Sequence, residues 1–283
     1  MDIMQQTWKK VIEPKTRLLD LKLGELVQYK DLIWMFVKRS FKSQYKQTIL
    51  GPLWFIINPL ITSVLFTVVF GGIAKISTDG VPQFLFYMAG NTAWSYFASC
   101  ITQTSNTFTA NSAVFGKVYF PRLVMPVSTV IFSVLSFLIQ LAMLIGFIIY
   151  FIAIGENVHP NMYIWLLPVF ILHMAAMGLG FGIIISSLTT KYRDLSILVG
   201  FGVQLWMYIT PIVYPISTLS EKAKALIMLN PMAPVINNFK YAFLGCGKME
   251  WGYWGLSAAV TLIVLFGGIV IFNRVEKTFM DTV

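Results

Sequence analysis

The residues best suited to binding an anion are four cations that precede the first long apolar run of the chain: Lys38, Arg39, Lys42 and Lys46. Lys38, Lys42 and Lys46 are spaced by four residues, which places them along one face of a helix, with Arg39 beside that face. Arginine can bind two phosphate oxygens at once, whereas lysine attracts an anion as a point charge. The spacing therefore predicts a site that receives an anionic lipid. The alternative, that these cations only anchor the chain at a membrane and orient it, stays open.

Aromatic side chains indicate a second kind of chemistry, contact with a sugar polymer. A flat apolar ring can stack on a pyranose, and the hydroxyl of tyrosine or the N–H of tryptophan adds a hydrogen bond without holding the polymer fast. Trp and Tyr also gather at membrane interfaces and pack between helices, so packing is the competing interpretation. The rings predicted to line a channel are Tyr87, Trp94, Phe97, Phe201, Trp206, Tyr208 and Tyr214.

Other chemistries find little support in the sequence. The apolar runs contain no Asp or Glu, and Glu156 and Asp194 lie only at their edges, which argues against a carrier driven by protons or sodium ions. His173 is the one ionisable residue in the middle of a run, and it is either functional or a neutral residue bonded to a neighbouring helix. The sequence has no Gly-x-x-x-x-Gly-Lys-Ser/Thr loop to cradle phosphate and no metal-binding cluster of Cys and His. We therefore predict no catalytic site and no metal site in the chain.

Six apolar runs must position these side chains. Hydrophobic residues make up 57% of the 283 residues, and several runs reach the ~20 residues that cross ~30 Å of hydrocarbon. The runs predict an all-α polytopic membrane protein with six transmembrane helices, at about 53–75, 83–106, 125–154, 162–188, 196–216 and 252–272. An even number puts both termini on one side, and 16 of the 21 Lys and Arg residues then fall on that side. The positive-inside rule makes that side cytoplasmic.

Charge, cysteine and glycine patterns refine this picture. The net charge of +9 reflects few acids and clustered cations rather than a surface for nucleic acid. Cys100 falls in the second span and Cys246 in the outer segment after the fifth, so we predict no disulfide between them. The runs Gly178-x-Gly180-x-Gly182 and Gly200-x-Gly202 predict close approach of neighbouring helices in the fourth and fifth spans.

Three segments outside the spans have structure of their own. Residues 24–47 carry apolar side chains at helical spacing, from Leu26 to Phe41, and predict an N-terminal amphipathic helix with its apolar stripe in the headgroup zone. Residues 107–124 are too apolar for a solvated loop and predict a short cytoplasmic helix that ends near Pro121 and needs a partner. Residues 217–250 predict a pair of short helices that dip back into the outer leaflet.

Five short motifs occur in an order that resembles one family of transporters. They are Tyr-Lys-Gln-Thr-Ile-Leu-Gly-Pro-Leu-Trp at 45–54, Lys-Val-Tyr-Phe-Pro-Arg at 117–122, Lys-Tyr-Arg-Asp at 191–194, Thr-Pro-Ile-Val-Tyr-Pro at 210–215 and Asn-Pro at 230–231. From about residue 18 onwards, the chain resembles the ABC-2 type permeases that export polysaccharides, and among them the subunits that export O-antigen for lipopolysaccharide. Ser40 and Gln44 depart from the family pattern, which more often has charged residues there.

The resemblance implies a homodimer in the bacterial inner membrane, bound to two copies of a separate ATPase. That partner would bind ATP and Mg, with no cofactor in this chain. The polymer would be carried on undecaprenyl diphosphate, which would meet Lys38, Arg39, Lys42 and Lys46 as it leaves the cytoplasmic leaflet. Residues 217–250 would be the periplasmic gate helices, and 107–124 the coupling helix, with contacts to the ATPase through Phe115, Lys117, Tyr119, Phe120 and Arg122.

The corresponding domains are a cytoplasmic N-terminal segment at 1–52, a six-span domain at 53–272 and a cytoplasmic tail at 273–283. Export of teichoic acid, capsular polysaccharide or a small amphiphile by the same architecture is an alternative function. A membrane glycosyl- or acyltransferase is a more remote one. Such an enzyme needs carboxylates or a His–Asp pair near a membrane face, and His173 and Asp194 are not arranged in that way.

Overall fold

The computed structural model describes residues 23–45, 51–115, 120–190, 192 and 194–279. These residues form helices joined by turns, and no strand occurs among them, so the all-α prediction is confirmed for this part of the chain. A π-helical stretch, Thr67–Ile73, continues α3, and a 3-10 turn, Met162–Leu166, leads into α7. In chain order the α-helices are α1 (Leu23–Gln28), α2 (Lys30–Tyr45), α3 (Trp54–Phe66), α4 (Gln83–Thr104), α5 (Thr107–Phe115), α6 (Val124–Ala153), α7 (Leu167–Thr189), α8 (Leu195–Ile209), α9 (Glu221–Met228), α10 (Met232–Leu244) and α11 (Trp251–Phe279).

Within the described residues, four helical segments are long and apolar enough to cross a membrane: Trp54–Ile73, Val124–Ala153, Met162–Thr189 and Trp251–Val275. They coincide with the predicted spans one, three, four and six. The predicted second span is α4, which has 22 residues but carries many polar side chains. The predicted fifth span is α8, whose 15 residues are fewer than the ~20 that cross the hydrocarbon. The chain is thus a polytopic membrane protein by its helices, and the count of six spans stays a prediction.

Two predicted boundaries differ from the structure. The fifth span is predicted to run to residue 216, but α8 ends at Ile209 and Thr210 is extended. The reason is Pro211, which has no N–H for a further helical turn and disfavours helical backbone in the residue before it. The sixth span is predicted to end at residue 272, but α11 continues to Phe279. The division into three domains, with a tail from 273, stays a prediction.

Helix α4 lies at the centre of the bundle, where it packs against α3, α6, α7 and α10. Its close contact with α7 depends on two glycines of α7. A Cβ atom on Gly178 would lie 2.5 Å from the Cβ of Cys100, and one on Gly182 would lie 2.6 Å from the Cβ of Thr104. Because real Cβ atoms do not approach so closely, any larger residue would push α7 away from α4.

The remaining glycines of the two predicted runs differ in their surroundings. A Cβ on Gly180 would lie 2.9 Å from the backbone nitrogen of Leu265, so Gly180 lets α11 approach α7. The prediction of close packing is therefore confirmed for the run in the fourth span. For the run in the fifth span, no atom of the described residues lies within 4 Å of a Cβ on Gly200 or Gly202, so close packing there stays a prediction. Both cysteines are buried and free.

The predicted amphipathic helix is present as α1 and α2, but its apolar stripe is covered by protein rather than by lipid headgroups. α2 packs along α6, and Phe36 and Val37 are buried there. Trp34, Met35 and Phe41 are the exposed large apolar side chains among the described residues of α2. Phe36 belongs to a group of rings that ties α2 to α5, α6 and α11, here called the phenylalanine cluster: Phe36, Phe108, Phe115, Phe120 and Phe272.

Candidate functional site

Three of the seven aromatic residues predicted to line a channel are buried inside the chain. The ring centroids of Trp94 and Phe97 lie 6.2 and 5.2 Å from that of Trp206, so these rings join α4 to α8. Tyr87 is also buried, with its ring 6.4 Å from that of Phe66 in α3. Rings in these positions fill the space between helices. For Tyr87, Trp94 and Phe97 the structure favours the packing interpretation over direct contact with a polymer.

The rings of α8 lie differently. Phe201 and Tyr208 are 61% and 50% exposed, whereas Trp206 faces α4 and α7. Tyr214, beyond the end of α8, is partly buried, and its hydroxyl donates to the backbone carbonyl of Ile209 at 3.0 Å. The seven predicted residues therefore do not share one surface within the chain. Of the predicted rings on α4 and α8, only Phe201 and Tyr208 of α8 are exposed. A role of this face in a channel stays a prediction.

Three of the four predicted cations lie exposed on α2, and Lys46 falls outside the described residues. Nζ of Lys38 lies 5.7 Å from the centroid of the Trp34 ring, within the range of a cation–π contact. Arg39 follows Lys38 by one residue and so lies ~100° further around the helix. Arg39 borders a cavity of about 340 Å³ between α2 and α6. The cations are thus spread around α2, and Arg39 borders this cavity.

The predicted coupling helix corresponds to α5, which the structure describes from Thr107 to Phe115, and residues 116–119 before Pro121 lie outside the described residues. Phe115 and Phe120 are buried in the phenylalanine cluster, with ring centroids 5.7 Å apart, and the Phe120 ring lies 5.7 Å from that of Phe36. These two rings hold α2 against the bundle. A direct contact of Phe115 and Phe120 with an ATPase stays a prediction.

Of the other three residues predicted to contact the ATPase, the structure describes only Arg122. The guanidinium carbon of Arg122 lies 5.5 Å from the centroid of the Phe115 ring. Lys117 and Tyr119 fall outside the described residues. Among the α5 side chains that the structure describes, Thr109 and Ala110 are exposed, and the sequence pattern does not single them out.

The predicted pair of short helices between spans five and six is present as α9 and α10. α9 begins after Ser220, whose hydroxyl accepts a bond from the backbone N–H of Ala223, and an ion pair of 2.7 Å joins Lys224 to Glu250 just before α11. α10 ends at Gly245, which adopts a left-handed backbone with φ of 77° that suits glycine. A cavity of about 370 Å³ lies between these elements. That they dip into the outer leaflet stays a prediction.

A set of polar residues beside α10 was missed by the sequence reasoning. Asn230 precedes α10, and its Nδ2 donates to Oγ1 of Thr210 at 2.9 Å. Its Oδ1 accepts from the indole Nε1 of Trp206 at 2.8 Å and from the backbone N–H of Met232 at 3.1 Å. An indole N–H can only donate, which fixes the orientation of the amide. Asn230 therefore joins the end of α8 to the start of α10.

Lys240 joins the same elements from within α10. Its buried Nζ donates to the carbonyl oxygens of Pro211 and Ile212, at 2.9 and 2.7 Å, and lies 3.5 Å from the centroid of the Phe86 ring in α4. Burial lowers the pKa of Lys240 from its ordinary value of 10.5 to about 7, because a charge is costly away from water, and neighbouring groups offset this only in part. We call this set the α10 network: Trp206, Thr210, Asn230 and Lys240.

The α10 network brings together two motifs that stand apart in the sequence, Thr-Pro-Ile at 210–212 and Asn-Pro at 230–231. One signal could have found it. Lys240 is the only charged residue in the 13 residues of α10. A lone cation in an apolar helix needs acceptors from another element, and the interrupted helix after Ile209 is where free carbonyls occur.

His173 lies in α7 and bonds to α11. The indole Nε1 of Trp254 donates to Nδ1 of His173 at 2.9 Å, so Nδ1 carries no proton. Nε2 carries it instead, and lies 2.9 Å from Oγ1 of Thr261 and 3.2 Å from Oγ of Ser257. The Ser257 hydroxyl donates in turn to the carbonyl of Pro231. His173 is thus a neutral residue that joins two helices, the second of the alternatives left open by the sequence.

The His173 surroundings give no support to the enzyme alternative. Its bonding partners are a tryptophan and two hydroxyls, with no carboxylate to orient it as a base. Within the described residues, no group of three or more His, Cys, Asp or Glu side chains could hold a metal ion.

Comparison with known proteins agrees with this architecture. The family model described as ABC-2 type transporter matches residues 31–244, which is more than half of the chain. The chain is similar to the O-antigen export system permease protein RfbA of Klebsiella pneumoniae, with 29% identity over 253 residues, covering 89% of this chain and 94% of the relative. RfbA of Myxococcus xanthus is 26% identical over 92% of this chain and 98% of its own, and the polysialic acid transport protein KpsM of Escherichia coli is 21% identical over 86% and 93%. The matched region includes α2 to α10, and on this ground the chain belongs to the ABC-2 type transporter family.

Proposed function

We propose that the chain is the membrane subunit of an exporter that moves a polysaccharide, specifically O-antigen carried on undecaprenyl diphosphate, across the bacterial inner membrane. The observation that carries this proposal is the similarity, over nearly the whole of both chains, to permeases named for O-antigen export. Four apolar helices of spanning length support the membrane role. The sequence has no phosphate-binding loop, which supports hydrolysis of ATP, with its Mg, by a separate subunit.

The proposed assembly is a homodimer of six-span subunits with both termini in the cytoplasm. The six-span count follows from the apolar runs of the sequence. Helix α8 supports the dimer, because it is too short to cross the hydrocarbon alone and would need protein cover at its ends. Phe201 and Tyr208 are exposed on it, and the open space around Gly200 and Gly202 would let a second helix approach. The faces of two copies of α8 would then border the polymer path with aromatic rings.

The proposed contact with two copies of the ATPase is the exposed face of α5, at Thr109 and Ala110. Phe115 and Phe120 would act behind this face. Because both rings belong to the phenylalanine cluster, a push on α5 would reach α2 and α11 through packed side chains.

Export of a capsular polysaccharide is the second candidate function. The similarity to a protein named for polysialic acid transport favours it, at a lower identity of 21%. The two candidates differ in the glycan and share the architecture. No observation on this chain favours teichoic acid or a small amphiphile.

Deletion of the chain in its own host tests the proposal. We expect the surface glycan to disappear and a lipid-linked glycan to accumulate inside the cell, because synthesis continues while export stops. Plasmid-borne chain should restore the surface glycan, measured by immunoblot, and mass spectrometry of the accumulated material should identify the glycan and its lipid. Unchanged surface glycan, with no lipid-linked material inside, would contradict the proposal.

The polymer path on α8 has its own test. Phe201→Ala with Tyr208→Ala should slow export while dimer and ATPase still co-purify, because each stacking ring contributes only about 1 kcal/mol. Ile263→Ala, at an exposed position of α11, is the matched control and should be silent. Normal export by the double variant would remove α8 from the path.

A further inference from the structure

Polar side chains form three rows that face one another between α3, α4 and α6. Two adjoining cavities, of about 310 and 340 Å³, run along these rows to α2 and share Gln44, Gln103 and Phe132 in their walls. We call the combined space the polar groove. Its rows are Asn58 and Thr62 on α3, Asn91, Ser95, Ser99 and Gln103 on α4, and Thr129, Ser133, Ser136 and Gln140 on α6.

The spacing of the rows shows that the polarity belongs to one face of each helix. The residues of α4 recur every four positions, and those of α6 every three or four, so each row follows one helix face. The rest of α6 is apolar, with a mean hydropathy of 2.4 over its most apolar window. Polar residues in spanning helices usually face other protein, and the ordinary reason is a hydrogen bond to a neighbouring helix.

That ordinary reason fails for the four amide and hydroxyl groups at the inner part of the groove. Oγ of Ser95 donates to Oδ1 of Asn91 at 3.5 Å, and Nε2 of Gln140 donates to Oγ of Ser136 at 3.5 Å, so both contacts are long and stay within one helix. Asn91 and Gln140 are only 6% and 7% exposed. Oε1 of Gln140 has no hydrogen-bond partner within the described residues. All four groups belong to residues that line the groove, and Oε1 of Gln140 has bonding capacity to spare.

The chemistry of the groove changes along its length. Among the described residues that line it, Arg39, at the α2 end, is the charged one. Trp54 and Phe55 add aromatic rings to a lining that is otherwise mostly hydroxyls and amides. The row on α4, from Asn91 to Gln103, extends for ~18 Å, more than half of the ~30 Å hydrocarbon. Neutral hydroxyls, amides and rings are the groups that bind sugars, and a guanidinium binds phosphate.

We propose that the polar groove binds the sugar units next to the lipid end of the cargo, with Arg39 on the adjoining phosphate. This inference rests on the proposed function and gives it a site within one subunit. The lipid tail can stay in the bilayer while the sugars leave it, because two of the helices that line the groove, α3 and α6, are long and apolar enough to cross a membrane. Tyr87 lies one turn before Asn91 on α4, at the end of the row that is farther from Gln103. Its buried hydroxyl also has no hydrogen-bond partner among the described residues.

The test replaces the inner polar groups by apolar side chains of similar size: Asn91→Leu, Ser95→Val and Gln140→Met in one chain. Thr102→Val is the matched control, because the Thr102 hydroxyl bonds only within its own helix and does not line the groove. The probe is the lipid-linked glycan extracted from the deletion strain, and its binding is measured on the permease–ATPase complex in nanodiscs. We expect the triple variant to bind about tenfold more weakly and to export correspondingly slowly, because several hydrogen bonds are lost. Glycan released from its lipid should compete for the unaltered complex and fail to compete for the triple variant.

The outcomes separate this inference from the proposed function. A deletion strain that accumulates no lipid-linked glycan overturns the proposed function itself. If the glycan accumulates and the unaltered chain restores export, then a triple variant that binds and exports as well as Thr102→Val overturns the groove alone. Thermal unfolding guards against misfolding, since the triple variant should melt no lower than the unaltered chain: apolar groups replace polar ones that have no partner on another helix.

Discussion

The α10 network and the polar groove both contain amide side chains, but these side chains differ in whether they bond to another element of the fold. In the α10 network, the amide of Asn230 and the ammonium of Lys240 bond to acceptors or donors on another element, at 2.7 to 2.9 Å. In the polar groove, the amides of Asn91 and Gln140 make only long contacts along their own helices. A buried polar group that is paired across elements stabilises the fold, whereas one that is not paired costs stability and is retained for another reason. The difference indicates that the α10 network stabilises the fold, whereas the polar groove is available to bind a ligand.

We expect the largest difference in the free energy of unfolding between substitutions at two asparagines, Asn230 in the α10 network and Asn91 in the polar groove. Asn230→Leu leaves the Trp206 indole N–H without its acceptor and removes the bond that the Thr210 hydroxyl accepts, so we expect the free energy of unfolding to fall by about 1–3 kcal/mol. Asn91→Leu removes no bond between helices and should change it by less than about 0.5 kcal/mol, or raise it. Denaturant titration in detergent measures both variants.

Asn237→Leu serves as the control for loss of an amide near α10, because its Nδ2 bonds to the carbonyl of Lys248 at the exposed side. Equal losses for Asn230→Leu and Asn91→Leu would remove the distinction between the two regions.

A second expectation concerns pH and Lys240. The folded pKa of about 7 lies below the ordinary 10.5, so between these values the unfolded chain binds a proton that the folded chain lacks. Stability should therefore rise with pH from about 7 to about 10, and this group should add no pH dependence well below pH 7, where it is protonated in both states. Melting temperatures at pH 7 and pH 9 measure the slope.

Lys240→Met should remove this pH dependence, and Lys222→Met, at an exposed position of α9, should leave it unchanged. A slope that persists in Lys240→Met would show that another group titrates in this range.

The smallest expected effect belongs to His173. His173→Phe keeps the volume but leaves the Trp254 indole N–H without its acceptor, and should cost about 0.6 kcal/mol, the average for a hydrogen bond between membrane helices. Gln140→Met, which removes a group with no partner on another helix, should cost nothing. A loss of export by His173→Phe beyond its loss of stability would restore a functional role to this residue.

The sequence predicted the helices better than the surroundings of their side chains. Spans one, three, four and six follow from apolar runs, because a run of that length has few other stable states. The rings at Trp94 and Phe97 were predicted as channel lining, yet they pack on Trp206, since aromatic composition cannot tell the inside of a bundle from a path between bundles. Phe115 and Phe120 were predicted at an interface with an ATPase, and burial against α2 could not be seen from their own segment.

The sequence by itself determined the class of this protein: an all-α membrane chain of the ABC-2 type, with a proline that ends α8 and glycines on α7 that admit its neighbours. These properties depend on length, apolarity and local backbone chemistry, which act within one segment. Only the tertiary structure decided which polar groups are paired. Asn91 and Asn230 look alike in the sequence, and their difference arises because α8 ends within reach of Asn230, whereas α3, α4 and α6 leave a space beside Asn91. Pairing depends on which elements meet, and that is a property of the packed chain.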